Sequence, residues 1–267
     1  MPLNIPGILA PFHLIIFPRL IVPGIVVKDI RQLDFPALYK AGYRGAVFDK
    51  DNCLTVPHED RLVSELKQAW QECRDTFGPG NVLVVSNTAG SHTDVGEIEA
   101  ESVTHHLSVP VLRHASLKPS YSCIKNIRAY FASLPQPIRD DQLVVVGDRL
   151  LTDMVMANRM SRKRPAVAAA EGEKTPLMDG QVSEESLVHP ERVGPLAVWT
   201  EGLWKREALA LRLLEKGMLR GVERWLLKPH EVTWRENVQC RFVKPLPVPE
   251  KPVKEGWTSK LWARFAA

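Results

Sequence analysis

The residues best placed to do chemistry are two carboxylates, Asp49 and Asp51, which follow the apolar run RGAVF at residues 44–48. Along a strand, alternate side chains point to the same side, so the two acids can converge on one metal ion and one phosphate. Bare carboxylates this close repel each other and raise one pKa, so a cation is needed to keep Asp49 ionised while Asp51 carries a proton. The pair favours metal-assisted phosphoryl chemistry, although acid pairs also commonly cap loops.

Further reactive groups follow later apolar runs. Ser86 and Asn87 end one run, and there a hydroxyl and a neighbouring backbone N–H can hold phosphate oxygens. Lys118 offers a compact positive charge that can neutralise both a phosphate and a nucleophile. Asp148 and Asp153 follow another run and could complete the oxygen-rich shell that Mg²⁺ requires. Each group alone is a weak signal, and their order along the chain gives them weight.

The elements that must position these groups are short apolar runs alternating with helix-like stretches. This alternation predicts an α/β fold with a doubly wound parallel sheet, in which ligands bind at the carboxyl ends of the strands. The predicted strands are 44–48, 82–86, 109–112, 143–147 and 195–199, and the predicted helices are about 31–41, 60–76, 91–102, 120–133 and 152–160. Most of the candidate groups lie at or shortly after the end of a predicted strand, and Lys118 opens the predicted helix near residue 120.

Taken together, these groups resemble the four motifs of the HAD (haloacid dehalogenase-like) superfamily, with its Rossmann-like core. The motifs are, in order, Asp49-x-Asp51, Ser86, Lys118 and Gly147-Asp148-x4-Asp153. The resemblance implies that Asp49 is the nucleophile and that Asp51 protonates the leaving alkoxide and then activates water. It also implies that Mg²⁺ is held by Asp49, the carbonyl of Asp51 and Asp148, with Asp153 in support.

Lys50 lies between the two acids, where many relatives have an apolar residue. If its ammonium faced the cleft it could bind a polyanionic substrate, and as a surface lysine it would be solvated. The substrate-binding candidates are therefore Ser86, Asn87, Lys118 and Lys50.

The intervals between the motifs are short. About thirty residues separate the acid pair from Ser86, enough for one helix, and the interval to Lys118 is equally short. The sequence therefore predicts a capless enzyme with an open site, which suits a large substrate or one presented on a surface.

A closer resemblance is carried by three segments. Residues 28–55, 115–120 and 147–160 are similar to the phosphatidylglycerophosphate phosphatase branch of the superfamily, the fungal mitochondrial type and its bacterial capless relatives. This resemblance implies removal of the terminal phosphate of a phospholipid to give phosphatidylglycerol, a step toward cardiolipin. It also implies a peripheral position on the matrix side of the mitochondrial inner membrane.

Size and composition fit one catalytic domain with appendages. The chain has 267 residues, of which 45% are hydrophobic, enough to bury one sizeable core. With 35 basic and 31 acidic residues the net charge is only +4, so nucleic acid is not expected as a partner. The four cysteines are far apart, which predicts neither a zinc ribbon nor a disulfide framework.

The two ends of the chain differ from the predicted core at 28–200. Residues 1–27 form an apolar arm that prolines divide into pieces too short to span a membrane, so it is expected to contact a membrane surface, the protein itself or another subunit. Residues 163–192 read as a mobile insertion, and the Pro-rich end of 201–267 reads as an extended tail.

An amphipathic helix is predicted at 201–227. Its apolar face would pack on the core or on a neighbouring subunit, as in a homo-oligomer, while its basic face could contact a membrane. At about 100° per residue, the apolar face holds Leu211, Leu214, Met218, Val222 and Trp225, and the opposite face holds Arg212, Lys216, Arg220 and Arg224.

The sequence leaves two alternatives to the lipid phosphatase open. One is a capless HAD phosphatase acting on a phosphoprotein, a nucleic-acid end or a soluble sugar phosphate. The other is a catalytically silent scaffold of a membrane complex, although a scaffold has no need of Asp49, Asp51 and Asp148 together.

Overall fold

The computed structural model describes residues 14, 16–163, 189, 192–205 and 209–246. A five-stranded parallel sheet has the order β1-β7-β4-β2-β3, and β5 and β6 form a separate antiparallel pair. The strands are β1 Ile25–Val27, β2 Gly45–Phe48, β3 Val82–Val84, β4 Leu143–Gly147, β5 Arg162–Lys163, β6 Arg192–Val193 and β7 Leu196–Thr200. The predicted α/β class with a parallel sheet is confirmed.

Helices cover both faces of the sheet. They are α1 Phe35–Lys40, α2 Lys67–Phe77, α3 Ile98–Leu107, α4 Tyr121–Ala132, α5 Val155–Met160, α6 Leu209–Leu226 and α7 Pro229–Phe242. Short 3-10 helices lie at Pro18–Ile21, Ile30–Gln32, Ser64–Leu66, Val95–Glu97 and Asp140–Gln142, and a π-helix lies at Leu150–Met154. Among the residues described, none of the helices has the length and apolarity needed to cross a bilayer.

Strand alternation divides the core into two layers. In β2, Ala46 and Phe48 pack under α1, α2, α3 and α7, whereas Val47 points to the other face, under α4, α5 and α6. β4 alternates in the same way, and each of its residues is buried. A strand that is buried on both faces exposes only its ends. Reactive side chains can therefore gather at the carboxyl end of the sheet.

Two predicted elements differ in the structure. The segment 109–112 makes only an isolated parallel bridge from Val111 to Val84, because Pro110 has no N–H to donate to a ladder. The helix predicted at 91–102 begins at Ile98, since Gly96 takes a positive φ of 72° and breaks the turn before it. The Asp94 carboxylate then accepts hydrogen bonds from backbone N–H groups of the first turn of α3.

The end of the N-terminal segment belongs to the sheet. Ile21 and Ile25 are buried, and β1 pairs in parallel with β7, so the first strand lies before the predicted boundary at residue 28. Residues 1–13 of the predicted arm lie outside the described residues, as do most of the predicted insertion at 163–192 and the tail from 247 onward.

Helix α7 was not predicted, because its sequence has few large apolar residues. It begins with Pro229 at its first position and buries Val238 and Phe242 against the core. The side-chain amide of Gln239 pairs with the outer edge of β1, accepting from the Val26 N–H at 3.0 Å and donating to the Val26 carbonyl at 2.7 Å. α7 therefore covers the edge of the sheet at β1.

Candidate active site

Four predicted groups meet at the carboxyl end of the sheet. Asp49 follows β2, Asp148 follows β4, and Asp153 lies in the π-helix that comes next along the chain. The Lys118 Nζ atom donates to Asp49 Oδ1 at 2.6 Å and to Asp153 Oδ1 at 2.8 Å. The structure therefore places one ammonium among carboxylates from two separate strand ends.

The three carboxylates form a set of oxygen donors suited to a hard cation. Asp49, Asp148 and Asp153 each offer an oxygen, and these oxygens all lie within 4.8 Å of one another. Burial, and next the charge of Asp49, raise the pKa of Asp148 well above its usual range. Ionised carboxylates crowded in this way are stabilised by a divalent ion with oxygen ligands, and Mg²⁺ fits that description. The Asp51 carboxylate is outside this cluster, so any contribution from Asp51 would come through its carbonyl.

Gly147 is required for the position of Asp153. A Cβ atom at residue 147 would lie 2.4 Å from Asp153 Cγ, far closer than carbon atoms can pack. The other Asp153 oxygen, Oδ2, accepts from the Arg149 N–H at 3.1 Å. The GD pair after β4 thus leaves space for the Asp153 carboxylate beside the strand end, while the π-helix carries it there.

Lys118 is buried and remains a cation. Burial acts to lower its pKa, but the charges of Asp153 and Asp49 outweigh that effect and raise the pKa above its ordinary value. Its N–H donates to Asn87 Oδ1 at 2.7 Å, and the Asn87 side chain donates back to its carbonyl at 3.4 Å. The Asn87 side-chain amide therefore positions the backbone of Lys118.

Asp51 lies beside this cluster in surroundings that favour its protonated form. Burial and then the charge of Asp49 raise its pKa, while Lys50 opposes the shift. Its Oδ1 accepts from the His58 N–H at 3.1 Å, and its Oδ2 accepts from the Thr88 hydroxyl at 3.3 Å. A raised pKa makes a carboxyl group better suited to act as a general acid.

Ser86 and Asp51 are linked through Thr88, which the sequence reasoning missed. The hydroxyl oxygens of Ser86 and Thr88 are 3.0 Å apart, and the Thr88 N–H donates to Ser86 Oγ at 3.1 Å. The missed signal was a second hydroxyl two residues after Ser86, the spacing at which a serine can bond the backbone ahead of it. Thr88 holds the loop after β3 against the acid pair.

Lys50 differs from both sequence-based interpretations. Its side chain is fully buried, so it is not solvated, and its ammonium is surrounded by acids. The Nζ atom lies 2.7 Å from Glu99 Oε1 and 3.4 Å from oxygens of both Asp60 and Asp51. Burial acts to lower its pKa, but Asp51 and Glu99 outweigh it and the pKa is raised. The Lys50 ammonium is thus occupied by Asp51, Asp60 and Glu99 and holds these three acids together.

Helix α6 contributes a residue that the sequence analysis placed elsewhere. Arg212, predicted on a basic outer face, is 11% exposed in its side chain and forms a short ion pair with Asp148 Oδ2. Its Nη1 also donates to the Asp148 carbonyl at 3.2 Å, as does Trp199 Nε1 of β7 at 3.0 Å. Asp148 is therefore held from both sides by groups that are distant in sequence.

The face of α6 that packs on the core is rotated from the predicted one. Its buried residues are Glu215, Leu219 and Val222. Leu214 and Trp225, predicted to pack inward, are 51% and 79% exposed. Because ion pairs and hydrogen bonds of Arg212 and Glu215 fix the helix, the buried face includes charged residues that hydrophobic periodicity counts as outward.

Comparison with known proteins agrees with this geometry. Residues 5–164 match a family described as mitochondrial PGP phosphatase. The chain is 36% identical over 158 residues to the mitochondrial phosphatidylglycerophosphatase GEP4 of Saccharomyces cerevisiae, covering 59% of this chain and 83% of that protein. It is 33% identical over 171 residues to a probable mitochondrial phosphatidylglycerophosphatase of Schizosaccharomyces pombe, covering 60% and 80%.

A third relative is named as chloroplastic. The chloroplastic phosphatidylglycerophosphate phosphatase 1 of Chlamydomonas reinhardtii is 40% identical over 141 residues, which are 52% of this chain and 50% of that protein. No solved structure matches the chain. Since the family match spans more than half of its residues, the chain belongs to the mitochondrial PGP phosphatase family.

Proposed function

We propose that this phosphatidylglycerophosphate phosphatase removes the terminal phosphate of its lipid through an aspartyl-phosphate on Asp49, with Mg²⁺ as cofactor. One observation carries the proposal. The Lys118 ammonium contacts Asp49 and Asp153 while the oxygens of Asp49, Asp148 and Asp153 lie within 4.8 Å of one another. This is the charge arrangement that in-line attack on a phosphoryl group needs.

In the first step an Asp49 carboxylate oxygen attacks phosphorus, and the bond from phosphorus to the glycerol oxygen breaks. Asp51 gives its proton to the leaving alkoxide, which the raised pKa of Asp51 favours. Lys118 neutralises charge on the phosphoryl oxygens because burial and its acid partners keep it protonated. The products of this step are phosphatidylglycerol and phosphorylated Asp49.

In the second step water hydrolyses the aspartyl-phosphate. Asp51, now a carboxylate, takes a proton from the water while the water oxygen attacks phosphorus. The bond from phosphorus to Asp49 breaks, which restores the Asp49 carboxylate. The Asp51 side chain is 27% exposed, so water reaches it without opening the fold. Inorganic phosphate is released and both acids return to their starting states.

Asp49, Asp148 and the carbonyl of Asp51 would hold Mg²⁺, with Asp153 in support. The bound cation would supply positive charge to polarise the phosphoryl group and to offset the repulsion among these acids. Arg149 supports the set by bonding Asp153 through its N–H.

A phospholipid substrate fits an open site. Between β2 and β3 the chain holds α2 and short loops, so that interval contains no cap domain. The fungal relatives are named as mitochondrial, and we infer a peripheral position on the matrix side of the inner membrane, in the pathway to cardiolipin. The membrane surface is then the partner that presents the substrate.

The test is phosphate release from phosphatidylglycerophosphate in mixed micelles beside a panel of soluble phosphomonoesters, with and without a chelator. We expect Asp49→Asn to lower the rate by at least about 10³-fold, and the surface variant Asp75→Asn to match the wild type. Retained activity in Asp49→Asn would refute the nucleophile assignment. A preference for the lipid below about tenfold, or about 1.4 kcal/mol, would favour a soluble phosphomonoester as substrate instead.

A further inference from the structure

The inner side of helix α6 contacts Asp148 and the π-helix that follows it. Arg212 pairs with the Asp148 carboxylate and donates to its carbonyl at 3.2 Å. One turn on, the buried Glu215 accepts from the Leu151 N–H at 3.2 Å. Leu151 belongs to the π-helix that carries Asp153. Burying two charged side chains is costly unless both are paired, so these contacts tie α6 closely to the segment that bears Asp148 and Asp153.

The outer side of the same helix is apolar and cationic. Leu213, Leu214 and Trp225 are 71%, 51% and 79% exposed, and Arg220 and Arg224 are exposed beside them. The carboxylates of α6 are engaged elsewhere, Glu215 with Leu151 and Glu223 with Arg235 at 2.8 Å. The outer surface of α6, defined by Leu213, Leu214, Arg220, Arg224 and Trp225, therefore combines apolar side chains with positive charge only.

The N-terminal segment reaches the C-terminal end of α6. Arg19 donates to the Leu226 carbonyl at 2.6 Å, which places residues 16–19 beside the end of α6. Ile16 and Phe17 are 70% and 54% exposed. The Arg224 guanidinium lies 5.8 Å from the centre of the Trp225 ring. Aromatic and basic side chains on one face are characteristic of helices that lie in the interface of an anionic bilayer.

We propose that α6 docks on an anionic phospholipid surface through its outer surface and positions Asp148 through Arg212 on its inner side. The docking half stands alone, and the positioning half rests on the proposed function. A helix is about 10–12 Å across with its side chains, so docking in this way holds the catalytic centre one helix diameter from the lipid headgroups. Two copies of the chain would bring Arg220 and Arg224 of each together in a symmetric contact, which the repulsion of like charges disfavours.

Flotation of the full-length protein with vesicles tests the docking half. The vesicles are phosphatidylcholine, with or without phosphatidylglycerol. We expect binding that requires the anionic lipid, and a loss of about tenfold or more in Leu214→Ser/Trp225→Ser. The matched control is Val95→Ser/Ile98→Ser, which removes two exposed apolar residues, 84% and 72% exposed, from another surface. Equal flotation of the two double variants would overturn docking through α6, as would a loss of oligomeric state in Leu214→Ser/Trp225→Ser with flotation unchanged.

Two readouts test the positioning half. In the absence of substrate, the shift of Tm with Mg²⁺ concentration reports metal affinity, which we expect Arg212→Met to weaken about 10–100-fold. Arg212→Lys should recover part of it, and Arg128→Met, which removes an arginine paired with Asp140, should leave it unchanged. An Mg²⁺ response in Arg212→Met equal to that of the wild type would overturn the assignment.

Activity on a soluble aryl phosphate then joins the two halves. Anionic vesicles should raise kcat of the wild type and leave kcat of Leu214→Ser/Trp225→Ser unchanged. Without lipid, the two proteins should have the same kcat. Vesicles that raise both proteins equally would overturn the link between docking and the catalytic centre. If the wild type binds vesicles and Mg²⁺ but releases no phosphate from any substrate, the proposed function fails and docking stands.

Discussion

Two buried lysines, Lys118 and Lys50, sit among acids in neighbouring parts of the molecule and differ in the exposure of those acids. Around Lys118 the acid side chains are closed in, with Asp49 and Asp153 only 11% and 1% exposed. Around Lys50 the acids reach solvent, with Asp51, Asp60 and Glu99 between 27% and 31% exposed. The two clusters share one pattern of charges in different dielectric surroundings.

This difference in exposure indicates which acids depend on their lysine for charge compensation. Acids that water reaches are stabilised without their cation, so Lys50 is expected to act mainly on local structure. Acids that water does not reach depend on the Lys118 ammonium, and in the proposed function also on a metal ion, with their charge available to a phosphoryl group. The Lys50 cluster also borders the Lys118 cluster, because Asp51 pairs with Lys50 and lies beside Asp49.

The largest effect is expected from Lys118→Met. The variant leaves Asp49 and Asp153 without their ammonium, and kcat should fall roughly 10²–10³-fold with a smaller change in KM. Steady-state phosphate release measures both constants. A rise in KM with kcat unchanged would show that Lys118 only binds the ground state, and the contrast with Lys50 would then lose its basis.

A smaller effect is expected from Lys50→Met. Because its acid partners are partly solvated, we expect a loss of about 1–3 kcal/mol in the free energy of unfolding and about a tenfold fall in kcat, as Asp51 loses an anchor. Urea denaturation and phosphate release measure the two effects, and Glu99→Gln, which keeps the ammonium, should be milder. Activity lost as completely as in Lys118→Met would mean that Lys50 contacts the substrate.

The smallest effect is expected in the pH dependence of stability without metal. The folded-state pKa of Asp148 is raised by burial first and then by Asp49, so the folded protein binds more protons than the unfolded chain. The free energy of unfolding should then fall as pH rises from about 4, the unfolded pKa, toward the folded pKa. Denaturation in chelator, compared with Asp148→Asn, isolates this contribution. A wild type that gains stability over this variant as pH rises would contradict the sign.

Much of the cluster around Lys118 could be predicted from sequence because its signals are local. Asp49, Asp148 and Ser86 each follow an apolar run, and parallel strands bring such ends to one edge. The order of the motifs added Lys118 and Asp153. These assignments depended on the residue type at the end of a strand, which can be recognised within a few positions of sequence.

The rest could not be predicted because it depends on contacts between distant residues. Arg212 lies 64 positions from Asp148, and helical periodicity assigned it to the solvent side. Lys50 meets Glu99 across 49 positions, so its burial has no local signal. The edge strand β1 has only three residues and lies beside prolines, so in the sequence it resembles an irregular arm. Its partner residues in β7 lie more than 170 positions away, so their pairing has no local signal. Specific polar contacts overrode composition in each case.

The amide of Gln239 has a consequence for how the protein avoids association with itself. By occupying both backbone groups of Val26, it takes the place that an incoming strand would use to extend the sheet. Loss of α7 would leave that row of N–H and carbonyl groups open, as a template onto which another polypeptide could add. The Gln239 side chain thus blocks the edge of the sheet at β1, and it links the last described helix to the first strand.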